Sequence, residues 1–130
     1  LTSERLGFLA ALPERPAPRE LAELAGDVDL VQKDVPFCLL GIRGDDAVAV
    51  GAAIATLTAL RLTAACNVCI QDGTAWVLPR RLETPTPHFP YALGAAELWG
   101  RWCYVDEAPF AAAGGEDLEQ ALVRAGAPPP

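Results

Sequence analysis

The residues best suited to chemistry lie in one stretch, Asn67-Val-Cys-Ile-Gln-Asp-Gly-Thr-Ala-Trp-Val-Leu-Pro-Arg-Arg81. Two apolar runs flank Asp72-Gly73, and Asp-Gly is a strong hairpin signal because a type I′ turn needs positive φ at both central residues. The hairpin ends on Pro79-Arg80-Arg81. Two guanidinium groups leaving a buried strand together place fixed positive charge at a strand end, a position suited to holding an anion. The competing reading is an exposed basic pair that adds little to stability. Asn67 offers a carboxamide at the start of the first strand, able to meet a ligand or to satisfy nearby backbone groups.

Other candidates carry less. Cys66 and Cys69 form a C-x-x-C, but the remaining thiols, Cys38 and Cys103, supply no second pair, and His88 is the sole histidine. Residues three apart on a strand point to opposite faces, so small buried thiols are expected rather than a metal site. Asp45-Asp46 and Asp106-Glu107 stand where helices begin, and read as first-turn or capping residues with no base beside them. His88 sits among Pro87, Phe89 and Pro90, a loop setting rather than a strand.

The elements that must position the hairpin follow from patterning. The chain has 130 residues, 52% hydrophobic and 21% charged, which suits one globular domain. Its net charge of -7 disfavours nucleic acid and anionic membrane as partners. The apolar run from Ala47 to Leu62 is short for a membrane span and is expected to be a buried helix, with Val50, Ile54 and Leu57 on one stripe. No secretory leader is recognisable at Leu1–Glu14, so the cytoplasm is the expected location. The chain starts at Leu1 and holds no methionine. We therefore expect it to be a piece of a longer polypeptide.

Along the chain, Thr2 or Ser3 is expected to cap a short helix reaching Leu12, with Pro13, Pro16 and Pro18 closing it. Arg19 to Ala25 reads as a further helical turn or two, ended by Gly26. Val28–Val31 and Pro36–Ile42 read as strands, followed by the long helix and the hairpin strands Cys66–Gln71 and Thr74–Leu78. The prolines from Leu82 to Tyr91 predict a loop, and Ala95 to Val105 a further strand. Short helices from Asp106 and from Glu116 to Ala125 come last, before a frayed tail. The fold class expected is α+β: a mainly antiparallel sheet covered by one long helix, with short terminal helices. Residues 1–26 form a helical, proline-rich lead-in or linker, 27–125 the main domain, and 126–130 a tail.

Several segments in this order resemble the C-terminal part of the GDP-hexose phosphorylases, the GDP-L-galactose and GDP-D-glucose phosphorylases of the histidine-triad superfamily. They are Pro36-Phe-Cys-Leu-Leu-Gly-Ile-Arg43, Asn67-Val-Cys-Ile, Asp72-Gly73, Trp76-Val-Leu-Pro-Arg80 and Ala96-Glu-Leu-Trp-Gly100. The likeness runs from about Val28 to Ala125. The hairpin and its exit match well, and the rest matches mainly by order. At Trp99-Gly100-Arg101 the family more often has a small residue, glycine and histidine, so the resemblance implies no role for that position.

The resemblance implies a histidine-triad-like half, in which a central histidine of another segment attacks the α-phosphate and phosphate then accepts the nucleotide. GDP and a hexose 1-phosphate result. Covalent catalysis of this kind splits one hard displacement into two easier ones. With His88 alone and in a loop, this chain is not expected to be active by itself and no catalytic residue is assigned. The implied ligand-binding residues are Asn67, Arg80 and Arg81, with Arg80 matching the family's basic position and Asn67 placed for phosphate or ribose. Trp76, Trp99 and Trp102 could stack on guanine, but at least two are expected in the core. The implied partners are GDP-hexose, phosphate and the histidine-bearing N-terminal half of the same polypeptide, with no cofactor and no metal. The alternative is a stand-alone, non-catalytic module that binds a nucleotide or a partner.

Overall fold

The computed structural model describes residues 2–4, 12–60, 65–81, 101–112 and 115–130. Their fold is α+β, built on a five-stranded antiparallel sheet of order β2-β3-β4-β6-β5. The strands are β2 (Glu14–Pro16), β3 (Asp29–Lys33), β4 (Leu40–Arg43), β5 (Ala65–Gln71) and β6 (Thr74–Arg80). A separate pair joins β1 (Thr2–Glu4) to β7 (Arg101–Cys103). Four helices are described: α1 (Arg19–Ala25), α2 (Ala47–Leu60), α3 (Glu107–Ala112) and α4 (Gly115–Ala125).

The β5–β6 hairpin forms as its turn residues dictate. Asp72 has φ 50° and Gly73 φ 75°, both in the left-handed region that a two-residue hairpin turn requires. The turn sets Gln71 opposite Thr74 and hence Asn67 opposite Leu78. At the start of α2, Asp46 Oδ1 accepts from the Val48 amide at 2.9 Å, the capping bond expected of it. At the end of α1, Gly26 has φ 83°, and its N–H donates to the Glu23 carbonyl.

Both sheet faces are apolar, which the alternation along each strand makes possible. One face carries Leu30, Leu40, Ile42, Ala75 and Val77 and meets Ala53 and Leu57 of α2, with Leu21, Ala22 and Ala25 of α1 alongside. The other carries Leu39, Cys69, Trp76 and Leu78 and meets Trp102, Tyr104 and the Ala121, Leu122 and Ala125 stripe of α4. So the expectation of one long helix over the sheet is corrected: among the described residues two helices share one face, and α4 with the β7 segment packs on the other. The physical reason is that β6 is buried along its whole length, so both faces need cover.

Three further differences come from pairing with distant parts of the chain. Thr2–Glu4 pair with Arg101–Cys103 instead of starting a helix. The rest of that expected helix, residues 5–11, lies outside the described residues. Pro16, expected to close a helix, ends an edge strand, where its missing N–H costs no ladder bond to an inner neighbour. Gly126 and Ala127 are docked rather than frayed. The Ala127 amide donates to the Pro79 carbonyl at 2.9 Å, and the Ala127 carbonyl accepts from the Cys38 amide at 2.7 Å. The expected loop from Leu82 to Tyr91, His88, Trp99 and the Ala95–Gly100 part of the expected strand lie outside the described residues.

Candidate functional site

Counting outward from the turn puts Asn67, Cys69 and Gln71 of β5 on the same face as Thr74, Trp76, Leu78 and Arg80 of β6. Asn67 faces Leu78, and Arg80 stands one face-step further on, so their side chains are diagonal neighbours. Both are buried, at 9% and 8% exposure. Asn67 Oδ1 has no hydrogen-bond partner among the described residues. Buried amide oxygens are normally satisfied, so such an atom asks for a partner. Arg80 is engaged by a neighbouring group and also meets Gly126 in a β-bridge.

Arg81 behaves differently. Its amide donates to the Ala125 carbonyl at 2.7 Å, and its Nε donates to the Arg124 carbonyl at 3.1 Å. A guanidinium on the last carbonyls of α4 satisfies acceptors that a helix end leaves open, and it opposes the helix dipole. The side chain remains exposed.

Of the three tryptophans, Trp76 and Trp102 are core residues, at 5% and 3% exposure. Cys66 joins the cluster under α2 while Cys69 joins the opposite one, as residues three apart on a strand should. Burial pushes the Cys69 thiol above its ordinary pKa, away from thiolate chemistry at neutral pH. Among the described residues no group of three or more His, Cys, Asp or Glu is placed to hold a metal. No helix among them is long and apolar enough to cross a membrane.

The same sheet face holds a second polar centre that the sequence reading missed. Glu14, Lys33, Arg43, Gln71, Asp72 and Thr74 line a cleft of about 210 Å³, with Trp76 completing it. Arg43 grips the Glu14 carboxylate with Nη2 at 2.7 Å and Nη1 at 3.2 Å, and its Nε donates to Thr74 Oγ1 at 2.9 Å. This hydrogen bonding, ahead of the opposing effect of desolvation, holds the Glu14 carboxyl below its usual range and raises Arg43.

Lys33 is only 2% exposed. Its ammonium donates to the Leu12 carbonyl at 2.9 Å, reaches Glu14 Oε1 at 3.5 Å and lies 4.6 Å from the Trp76 ring centroid. Taking an ammonium out of water costs several kcal/mol unless such contacts offset it. The available signal was Lys33 itself, a charge at a core-facing position two residues after Val31. Its convergence with Glu14 and Arg43 depends on pairings between strands far apart in sequence.

No family model, characterised protein or solved structure matches the chain.

Proposed function

We propose that this chain is the histidine-poor C-terminal part of a GDP-hexose phosphorylase-like nucleotidyltransferase, a histidine-triad-like half that lines the nucleotide cleft. The observation that carries the reading is the placement of Asn67 and Arg80. They lie side by side on one sheet face, buried, with an amide oxygen that no described residue satisfies. An acceptor beside a guanidinium suits a ribose hydroxyl next to a phosphoryl group. In this role Arg81 ties the strand exit to α4 and so holds Arg80 in position, with any phosphate contact of its own secondary.

The nucleophilic histidine belongs to the preceding half of the polypeptide, a cytoplasmic protein in this reading. It attacks the α-phosphorus of GDP-hexose, the bond to the departing hexose 1-phosphate breaks, and inorganic phosphate then accepts the guanylyl group to give GDP. Supporting a second half, β5 has a strand neighbour on only one side among the described residues. Open strand edges are ready templates for pairing.

The test is phosphate-dependent release of GDP from GDP-hexoses by the intact polypeptide, with Asn67→Ala and Arg80→Gln variants. Each variant is expected to lower kcat/KM by at least about tenfold, the effect of losing one charge-assisted or buried hydrogen bond. Silence with every GDP-hexose would end the assignment.

A second reading, a stand-alone nucleotide- or partner-binding module, draws support from a sheet with an apolar cluster on each face. Calorimetry of this chain with GDP and GMP separates the two. Tight binding without the other half favours the module.

A further inference from the structure

The two edges of the five-stranded sheet are built differently. β2 presents Glu14, Arg15 and Pro16, and charges with a proline keep an edge from pairing further. β5 runs Ala65-Cys-Asn-Val-Cys-Ile-Gln71, with no charge and no proline, and it matches β6 residue for residue without a bulge. Among the described residues it has a strand neighbour on one side only. In a two-residue hairpin the pair flanking the turn exchanges both backbone hydrogen bonds, and such pairs alternate along the ladder. Gln71, Cys69 and Asn67 therefore bond to β6, whereas the N–H and C=O groups of Cys66, Val68 and Ile70 point outward. The Pro79 carbonyl, level with Cys66, accepts from the Ala127 amide on its other side, as that alternation requires.

We propose that β5 pairs with β5 of a second copy of this chain, antiparallel and about a twofold axis at Val68, joining the two five-stranded sheets edge to edge. The pattern is self-complementary. Around that axis Val68 stands opposite its counterpart, and Ile70 of each chain stands opposite Cys66 of the other, so the outward groups of all three residues find partners. The same pairing covers Ile70, which is 69% exposed, and extends the apolar strip of Cys66 and Val68 under α2. Charge fixes the direction. The hairpin carries an exposed Asp72 at its turn and an exposed Arg81 at its exit. Antiparallel pairing brings each turn alongside the other chain's exit, whereas parallel pairing sets like charges together. A net charge of -7 opposes contact over the surface at large, and an uncharged edge escapes that penalty. The inference goes beyond the phosphorylase-like reading: it involves no nucleotide, and it gives to a second copy the edge that the other reading leaves for a preceding half.

The test is sedimentation equilibrium of the 130-residue chain at concentrations up to about 1 mM, well above the dissociation constant on the order of 10–100 μM expected for an interface of one strand pair. Hydrogen exchange reads the register: the Cys66, Val68 and Ile70 amides, open in the monomer, should become protected as the dimer forms. Ile70→Lys changes an exposed side chain and leaves the ladder to β6 intact. It should weaken dimerisation by at least about tenfold, since the twofold axis counts the change twice. Val48→Lys, at a similarly exposed position on α2, should leave it unchanged. Three results would overturn the proposal: a chain still monomeric at the highest concentration, a dimer as tight with Ile70→Lys as without it, or a dimer whose Val68 and Ile70 amides gain no protection. The first would leave the edge to another segment of a longer polypeptide, without touching the nucleotide reading.

Discussion

Replacing Gly41 with alanine probes how Trp76 is held at the centre of the sheet. A Cβ built on Gly41 falls 2.5 Å from Cζ3 and 2.8 Å from Cη2 of Trp76, and 2.9 Å from Cγ2 of Val31. Carbon atoms prefer about 3.5–4.0 Å, so all three contacts are too short by more than half an ångström. Neither side can give easily. β4 is bonded to β3 and β6, which fixes the backbone, and Trp76 is packed beneath the ammonium of Lys33. Overpacking of this kind costs about 1–3 kcal/mol. Stiffening the unfolded chain returns about 0.4–1 kcal/mol.

The net loss for Gly41→Ala is therefore about 1–2 kcal/mol, or roughly 3–8 °C in Tm for a domain of this length. Thermal melts followed by circular dichroism, with urea midpoints as a second measure, read it directly. A shift within about 1 °C of the parent would refute the reasoning. So would an equal loss in a Trp76→Leu background, where the clash with the indole no longer exists and the penalty should shrink.

Two further outcomes follow from single contacts. Glu14 has a carboxyl held below its ordinary value of 4.5, chiefly by the hydrogen bonds from Arg43. A lowered folded-state value means that the unfolded chain binds the proton more readily. Its stabilisation is thus complete above about pH 4.5 and is lost as pH falls through the lower folded value. Urea midpoints of the parent and Glu14→Gln should accordingly differ at pH 6 and converge as the pH falls below 4.5, and a gap independent of pH would contradict this. Asp46→Ala removes the capping bond to the Val48 amide and should cost about 1 kcal/mol in urea unfolding, while Asp46→Asn should cost far less.

What was legible in the sequence was local. Asp72-Gly73 fixes a two-residue turn, and that alone gives the hairpin register and puts Asn67 and Arg80 on one face. Gly26 ends α1 where the residue type suggests, and Asp46 starts α2. What escaped was decided across long stretches of chain. Nothing in Thr2–Glu4 announces a strand, because its partner begins at Arg101. Pro16 reads as a breaker until an edge position makes its missing donor harmless. The cleft escaped for the same reason, since Glu14, Lys33, Arg43 and Thr74 come from four strands and meet only in the assembled sheet. The two-sided cover of the sheet could be read in Ala75–Leu78, whose unbroken apolar run has no polar side.

The docking of Ala127 bears on the order in which the molecule is completed. Leu40 pairs with Val77, so continuing that ladder would set Cys38 against Pro79. Pro79 has no amide to offer, and Ala127 fills the gap by bonding to both. Both groups therefore depend on a residue that belongs to neither strand, and without Ala127 the Cys38 amide and the Pro79 carbonyl lose these bonds. The hairpin itself does not need it, since β5 and β6 pair with each other as far as Ala65 and Arg80. What the alanine closes is the margin between β4 and β6, through a contact spanning most of the domain, and such long-range closure is slow to form.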